Sequence, residues 1–218
     1  MAKHPATPAR KKRTTQRADQ IRSRIVDEAI NAFARYGYEG ARMRSIARDA
    51  GVSVQLLVHH VKSKEALWRM TMGFIIDKYN AAMATFDIPP NKPAGTSAAR
   101  LRQAIVELAH FMASTPQLLR IMSLEAAHPT PRMLWLLERF TKLGFESWCS
   151  LIEAAQREGA VRHASPARLR FAIVAMISLP FAVAAEYEYF TGRSPFARNE
   201  VTQTIEMVCD MVFVRKPT

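Results

Sequence analysis

Residues 42–61 read RMRSIARDAGVSVQLLVHHV, which is the pattern of two short helices joined by a tight turn. Ile46, Ala47 and Ala50 fall on one side of the first helix, where they can pack onto a core. Gly51 follows them, and glycine readily adopts the left-handed backbone conformation that a sharp turn requires. The stretch therefore predicts a helix-turn-helix.

The second helix of this motif is expected to run from Val54 to Val61, with Ser53 as its N-cap. Leu57 and Val61, four residues apart, can anchor it to the core. The side chains on its outer side are then Val54, Gln55, Leu56, Val58 and His59. Because a recognition helix presents such side chains to base edges in the major groove, we interpret this segment as DNA-binding.

The outer side chains suit contacts with bases. Gln55 can bond an adenine edge through two hydrogen bonds, and Leu56 and Val54 can touch thymine methyl groups. His59 can donate to a base or to a phosphate. The neighbouring imidazoles of His59 and His60 lie about 100° apart around a helix, and no Cys or carboxylate completes a ligand set, so no metal site is expected.

Basic side chains flank the motif and are expected to bind phosphates. Arg42, Arg44 and Arg48 lie at or near the first helix of the pair. Lys64 stands at the start of the fourth helix, where free backbone N–H groups and the helix dipole also favour an anion. The alternative for each of these cations is an ordinary solvated surface side chain.

Residues 21–67 as a whole resemble the DNA-binding domain of the TetR family of bacterial regulators. The matching residues are Ala29, Phe33, Gly37, Ile46, Ala47, Ala50, Gly51, Val52, Ser53, Leu57, His60, Ser63, Lys64, Glu65, Ala66 and Leu67. The resemblance implies an all-α protein of about nine helices. Three of them bind DNA, and the others bind a ligand and form a dimer.

Two departures from the family pattern affect the recognition helix. Val58 and Val61 stand where the family usually has Tyr and Phe, so Val58 lacks the hydroxyl that would contact a phosphate. Gln55 stands where many members have Gly, and Leu56 where many have Thr. The recognition surface is therefore less polar than is usual in the family, and its operator should differ accordingly.

The positive charge of the chain is concentrated near its N-terminus. The net charge is +12 and the pI about 10.2, which favours a polyanionic partner. Residues 1–70 hold 15 basic and 6 acidic side chains, whereas residues 71–218 hold 16 and 13. The distribution predicts a basic DNA-binding head on a nearly neutral body.

The first 19 residues include two prolines and the basic run at 10–13, and they lack an apolar run. This composition predicts a disordered basic arm over residues 1–19. One interpretation is a solvated tail, and the other is an arm that lies along DNA phosphates or enters a minor groove.

The chain beyond the motif is expected to be helical. The run Pro89 to Gly95 is the clearest break, and no stretch alternates with a period of two. The helices predicted after it are 97–114, 116–127, 131–158, 166–190 and 195–213. The predicted domains are the DNA-binding domain at 20–67 and a helical ligand-binding and dimerisation domain at 68–218.

Polar and aromatic side chains set among apolar ones in this second domain are candidates to line a ligand pocket. The candidates are His110, Phe111, Arg120, Glu125, His128, Trp135, Glu146 and Trp148. The alternative for most of the aromatic residues is core packing. The effector is expected to be a small molecule, and the sequence does not identify it.

The helices at 166–190 and 195–213 are expected to form a homodimer. Phe171 to Ala185 is apolar around most of a helix, yet it is shorter than the roughly 20 residues that a membrane span needs. A second subunit would bury it, with Val201, Ile205, Val208, Met211 and Val212 as the partner stripe. A two-fold dimer would present two recognition helices to a palindromic site on double-stranded DNA.

The resemblance implies a repressor in which a ligand pivots the fourth helix and weakens operator binding. The sequence shows neither a disulfide framework nor a signal-peptide pattern, so a cytoplasmic protein is expected. One alternative is a DNA-coating protein without sequence preference, and another is an enzyme acting on an apolar substrate in the second domain. We find no paired nucleophile and base, no paired carboxylates in one helical segment and no Gly-rich phosphate loop, so neither a catalytic residue nor a cofactor is expected. Cys149 and Cys209 are expected to be free thiols.

Overall fold

Helices account for most of residues 8–83 and 95–214, the residues that this computed structural model describes. Extended pairing within these ranges is limited to an isolated bridge between Val161 and Phe213. The all-α prediction is therefore confirmed. The helices are α1 Pro8–Gly40, α2 Met43–Asp49, α3 Val54–Val61, α4 Lys64–Met83, α5 Ser97–Ser114, α6 Gln117–Ala126, α7 Pro131–Leu136, α8 Lys142–Arg157, α9 Pro166–Ala182, α10 Ala184–Thr191 and α11 Arg198–Val212.

The first helix begins earlier than the sequence pattern suggests. Residues 8–19, predicted as part of a disordered arm, are helical, and residues 1–7 lie outside the described residues. Pro8 suits a first helical turn because its missing N–H is not needed there. No further proline or glycine occurs before Gly37, so nothing in this stretch interrupts the helix. The prediction of a disordered arm is corrected for residues 8–19.

Of the predicted helices, one contains a π-helical turn and another is broken. The span 131–158 contains a π-helical turn at Leu137–Thr141 between α7 and α8. The span 166–190 breaks at Val183, whose φ of −110° and ψ of 37° are not helical. Pro180, three residues earlier, provides no N–H for the helical ladder, and this weakens the last turn of α9. The pair α9 and α10 is bent by 78° at this point.

The contacts divide the described chain into two compact units, one up to Phe74 and one from Ile75. The division falls inside α4, seven residues after the boundary expected from the sequence. No single described helix has both the length and the apolar composition of a membrane span. Helices α9 and α10 together have that length and composition, but they are bent relative to each other.

The second unit is organised around α5, α8 and α9, which pack on one another, with α11 against α5 and α9. Their shared core contains Leu101, Ile105, Ile152, Ile173, Ile177 and Val208. The buried carboxylate of Glu200 accepts a hydrogen bond from the Tyr187 hydroxyl at 2.8 Å and pairs with Arg193 at 3.2 Å. This network links α10 to α11, because Tyr187 belongs to α10, Arg193 to the connection and Glu200 to α11.

A carboxylate from a distant part of the chain caps the N-terminus of α5. Glu158 accepts hydrogen bonds from the N–H groups of Ser97 at 2.7 Å and Ala98 at 3.1 Å. The side chain of Ser97, and then these two backbone groups, lower the pKa of Glu158 from its ordinary value of 4.5. Since the folded chain binds this proton more weakly than the unfolded chain, the cap stabilises the fold above that value. Its contribution is lost as the pH falls through the lowered pKa.

Replacing Glu158 by Gln should reduce the acid sensitivity of the second unit. The urea concentration at the unfolding midpoint of the wild-type protein is expected to fall between neutral pH and pH 3. The midpoint of Glu158→Gln should fall less over the same range. Glu153→Gln, an exposed substitution on α8, whose C-cap is Glu158, is the matched control. Equal pH dependence in the three proteins would show that the cap carries no stability.

Candidate nucleic-acid interface

The turn between α2 and α3 is built on a glycine, as the sequence predicts. Gly51 has a φ of +64°, and a Cβ at this position would lie 3.4 Å from Nη1 of Arg24. The N–H of Val52 donates to the carbonyl of Ala47 at 2.9 Å and closes the turn. Ile46 and Ala47 are buried, so α2 is held by its predicted apolar side.

Helix α3 is fixed at its start and along its inner side. Oγ of Ser53 accepts a hydrogen bond from the N–H of Leu56 at 3.1 Å, which makes Ser53 the N-cap. Leu57 and Val61 are buried, one turn apart. An isolated helix of eight residues would not be stable in water, so these contacts determine its orientation.

The opposite side of α3 is available for binding. Gln55, Val58 and His59 are exposed, whereas Val54 and Leu56 are half-buried. The exposed side therefore combines an amide and an imidazole with one apolar side chain. These groups can read base edges and touch methyl groups.

An open groove of about 560 Å³ lies beside α3, and its α1 side was not predicted from the sequence. Leu56 contributes to it from α3, and the lining residues are Gln20, Ile21, Ser23, Arg24, Gly51, Val52 and Leu56. Arg24 thus places a further exposed cation beside the turn. The sequence pattern shows only that Arg24 faces outward from its helix. Its proximity to Gly51 could not be predicted, because the two residues are distant in the sequence.

The three arginines predicted to reach phosphates are all exposed, but they are not equivalent. Nε of Arg48 donates to Oδ1 of Asp49 at 2.8 Å, and this hydrogen bond raises the pKa of the Arg48 guanidinium. Neither Arg42 nor Arg44 has an acidic partner within the described parts of the chain. Arg42 and Arg44 are therefore the cations with uncompensated charge.

Lys64 begins α4, as predicted, and its ammonium group is already engaged. Nζ donates to the carbonyl of Glu39 at 3.1 Å and lies 4.7 Å from the centre of the Tyr38 ring. Ser63 caps this helix by accepting from the N–H of Ala66 at 3.0 Å. Lys64 thus also ties the start of α4 to the chain that follows Gly37.

The eight candidates for a ligand pocket are not brought together. His110 and Phe111 line an open depression of about 390 Å³ together with Lys78, Ala82, Glu107, Ser114 and Thr115. The side chains that lie on the surface are Arg120, His128 and Glu146. Sequence reasoning missed Lys78, which reaches the depression from α4.

The other candidates have partners within the second unit. Glu125 is buried and forms an ion pair with Arg132 at 3.3 Å. The Trp135 ring lies edge-on to Phe140 with their centres 5.0 Å apart. Trp148 is buried and hydrogen-bonds to Tyr79. Residue type alone suggested that these side chains line a ligand pocket, whereas their observed contacts are largely those of a protein core.

Exposed apolar side chains follow one side of α9 and one side of α11. The exposed apolar positions there are Phe171, Ala172, Ala175, Leu179, Met207 and Met211. Of the predicted partner stripe on α11, Val201, Val208 and Val212 are buried within the chain itself. Ile205 is half-buried, and Met211 alone of the stripe is exposed as expected. The described chain leaves apolar surface uncovered on two helices that pack together.

Comparison with known proteins relates the helix-turn-helix segment to a family model and the longer chain to a known regulator. Residues 25–69 match the family model described as bacterial regulatory proteins, tetR family. The HTH-type transcriptional regulator RutR of Escherichia coli (strain K12) is 28% identical over 188 residues, which cover 84% of each chain.

Solved structures show the same fold. AibR in complex with isovaleryl coenzyme A and operator DNA aligns with a TM-score of 0.71 at 19% identity, covering 89% of this chain and 98% of AibR. The ketosteroid transcriptional regulator KstR2 of Mycobacterium tuberculosis aligns with a TM-score of 0.70 at 18% identity, covering 89% and 95%. The described helices therefore have the fold of these solved structures.

Proposed function

Because the chain belongs to the tetR family of bacterial regulatory proteins, we propose that it is a ligand-responsive repressor in the cytoplasm. In this proposal it binds a palindromic operator as a homodimer. The coarser assignment, a transcriptional regulator with a helix-turn-helix, rests on the family match and on the relatives. The observation that carries the finer one is the recognition helix α3, which is capped by Ser53, anchored by Leu57 and open on the side of Gln55.

The base contacts are assigned to the exposed side of α3. Gln55 reads an adenine edge, and His59 donates to a base or phosphate. Val58 offers a methyl contact in the position where the family has a hydroxyl. Val54 and Leu56 contribute methyl contacts at the edge of this surface, consistent with their partial burial.

The phosphate contacts are assigned to the cations around α3. Arg42 and Arg44 are the strongest candidates because no carboxylate compensates them in the described chain. Arg48 shares its charge with Asp49, and Lys64 keeps two N–H donors beyond its bond to Glu39. Together they would position the recognition helices without reading sequence.

Effector binding is assigned to the unit that begins at Ile75. AibR was solved with both isovaleryl coenzyme A and operator DNA, which supports a fold that accepts an effector and an operator. Here α4 belongs to both units, from Lys64 to Met83. A ligand that shifts α4 would thereby change DNA binding by the first unit.

Replacing Gln55 by Ala should weaken operator binding by roughly 5- to 150-fold, since a bidentate base contact discriminates by about 1–3 kcal/mol. Genomic DNA fragments retained by the purified protein at about 150 mM salt would be footprinted to find the operator, because salt sets the non-specific background. Affinity for that operator is then measured for both proteins.

The matched control is Gln103→Ala, an exposed glutamine in the second unit, which should bind the operator like the wild type. Uniform retention of all fragments, with no short footprint, would instead support a DNA-coating protein. Equal operator affinities of Gln55→Ala and Gln103→Ala would remove Gln55 from the interface.

A further inference from the structure

Arg170, near the start of α9, is a half-buried cation that forms no ion pair with the described residues. Its Nε is buried and has no hydrogen-bond acceptor within the described residues. Its guanidinium carbon lies 5.5 Å from the centre of the Phe145 ring and 5.2 Å from that of Phe171. No described carboxylate forms an ion pair with it. The enclosing groups are therefore aromatic faces rather than anions.

The titratable neighbours of Arg170 are neutral at neutral pH. They are Tyr79 of α4 and Cys149 of α8, and burial raises the pKa of each of them. Burial also lowers the pKa of the Arg170 guanidinium. The phenol and the thiol thus cannot act as the missing anion, although the Tyr79 hydroxyl supplies a polar group beside the guanidinium.

Aromatic side chains of α4, α8 and α9 form a shell beside Arg170, and its member Tyr79 contacts further aromatic groups. Trp148 hydrogen-bonds to Tyr79, whose ring meets that of Phe111 edge-on with their centres 5.3 Å apart. Phe111 in turn lines the depression that contains His110. A chain of side-chain contacts through Tyr79 and Phe111 therefore leads from the guanidinium to this depression of the second unit.

Burying a charged group without a partner costs free energy, and an arginine without one is unusual inside a protein. The planar guanidinium matches a carboxylate through two parallel N–H donors, and only Nε of Arg170 is sealed from solvent without an acceptor. The terminal nitrogens are therefore the donors left for an incoming group.

We propose that Arg170 is the anion-binding group of the effector site, and that the effector is an organic carboxylate whose apolar part packs against Phe145 and Tyr79. This inference rests on the proposed role of the second unit in effector binding. The aromatic shell favours a small molecule with an apolar part over a bare inorganic anion. A carboxylate from a second copy of the chain is the competing source, because Phe171 is exposed beside Arg170.

The first arm of the test uses the ligand-free protein. Arg170→Met and Arg170→Gln remove an uncompensated charge, so their melting temperatures should equal or exceed that of the wild type. Arg168→Gln, an exposed arginine on the same helix, is the matched control. If both Arg170 variants melt lower and self-associate more weakly than Arg168→Gln, the carboxylate comes from the second copy and the proposal is overturned.

The second arm measures binding calorimetrically with benzoate and hexanoate, and with benzamide and hexanamide as neutral counterparts, in the absence of DNA. At least one carboxylate should bind the wild type and Arg168→Gln but bind Arg170→Gln roughly ten- to a hundredfold more weakly. Arg170→Lys should restore only part of the affinity, because lysine lacks the planar fork. Equal binding of the amides, equal binding to Arg170→Gln, or no binding of either acid overturns the proposal.

Because no operator is present, this outcome is separate from the failure of the regulatory role. If a carboxylate binds through Arg170 but leaves operator affinity unchanged, Arg170 is an anion-binding site. That result would show that the site does not regulate DNA binding.

Discussion

Replacing Leu57 by Ala should lower the free energy of unfolding of the DNA-binding unit by about 2–5 kcal/mol, the usual cost of removing a leucine from a packed core. Leu57 has an exposed fraction of 0%. It also holds a helix of only eight residues whose outer side carries Gln55. The loss is large compared with the roughly 5–15 kcal/mol that stabilise a typical domain.

Urea denaturation, followed by circular dichroism, measures this effect. The matched control is Leu124→Ala, because Leu124 is a helical leucine with an exposed fraction of 51% and should change the midpoint little. Operator affinity should fall with Leu57→Ala even under conditions where the unit stays folded, since α3 loses its main anchor. A Leu57→Ala protein as stable as Leu124→Ala would contradict the packing of α3 described here.

The local features of the DNA-binding unit could be predicted because short-range chemistry determines them. Gly51 provides the left-handed turn, and Ser53 and Ser63 cap the helices that follow them. The bounds of α5 were also predicted, since Thr96 provides a cap and Pro116 follows its end closely. In each case the deciding residues lie within a few positions of the feature.

The breaks within long helices were harder to predict. The apolar pattern continues through Val183 and through the π-helical turn at 137–141, so periodicity alone indicates unbroken helices. Pro180 was visible in the sequence, yet a proline near the end of a helix can be tolerated, and the break occurs three residues later. The surrounding packing decides whether such a helix stays continuous.

The candidate pocket residues were predicted from residue type, which does not reveal the partners that these residues meet. Glu125 is satisfied by Arg132, and Trp148 by Tyr79. Arg170 was not predicted because its significance depends on what is missing around it. Its neighbours come from α4, α8 and α9, and the absence of a carboxylate among them is visible only once those helices are packed.

The exposed apolar sides of α9 and α11 lead to the second large effect. Leu179→Arg should weaken the proposed homodimer by at least roughly a hundredfold, because a substitution at an interface hot spot costs about 2 kcal/mol or more and a two-fold interface contains it twice. In a two-fold interface the substitution occurs twice, so two charges would be buried without partners. Leu179 has an exposed fraction of 57% within the chain, so the fold of the subunit should be unaffected.

Sedimentation velocity over a range of concentrations measures the association, and circular dichroism verifies the fold. Leu143→Arg is the matched control, because Leu143 is an exposed leucine on α8, outside the two helices. Operator affinity should fall together with dimerisation in Leu179→Arg, since a monomer presents one recognition helix to a palindrome that requires two. If Leu179→Arg associates as tightly as Leu143→Arg, the exposed sides of α9 and α11 do not form the interface. A different surface would then have to position the two DNA-binding units.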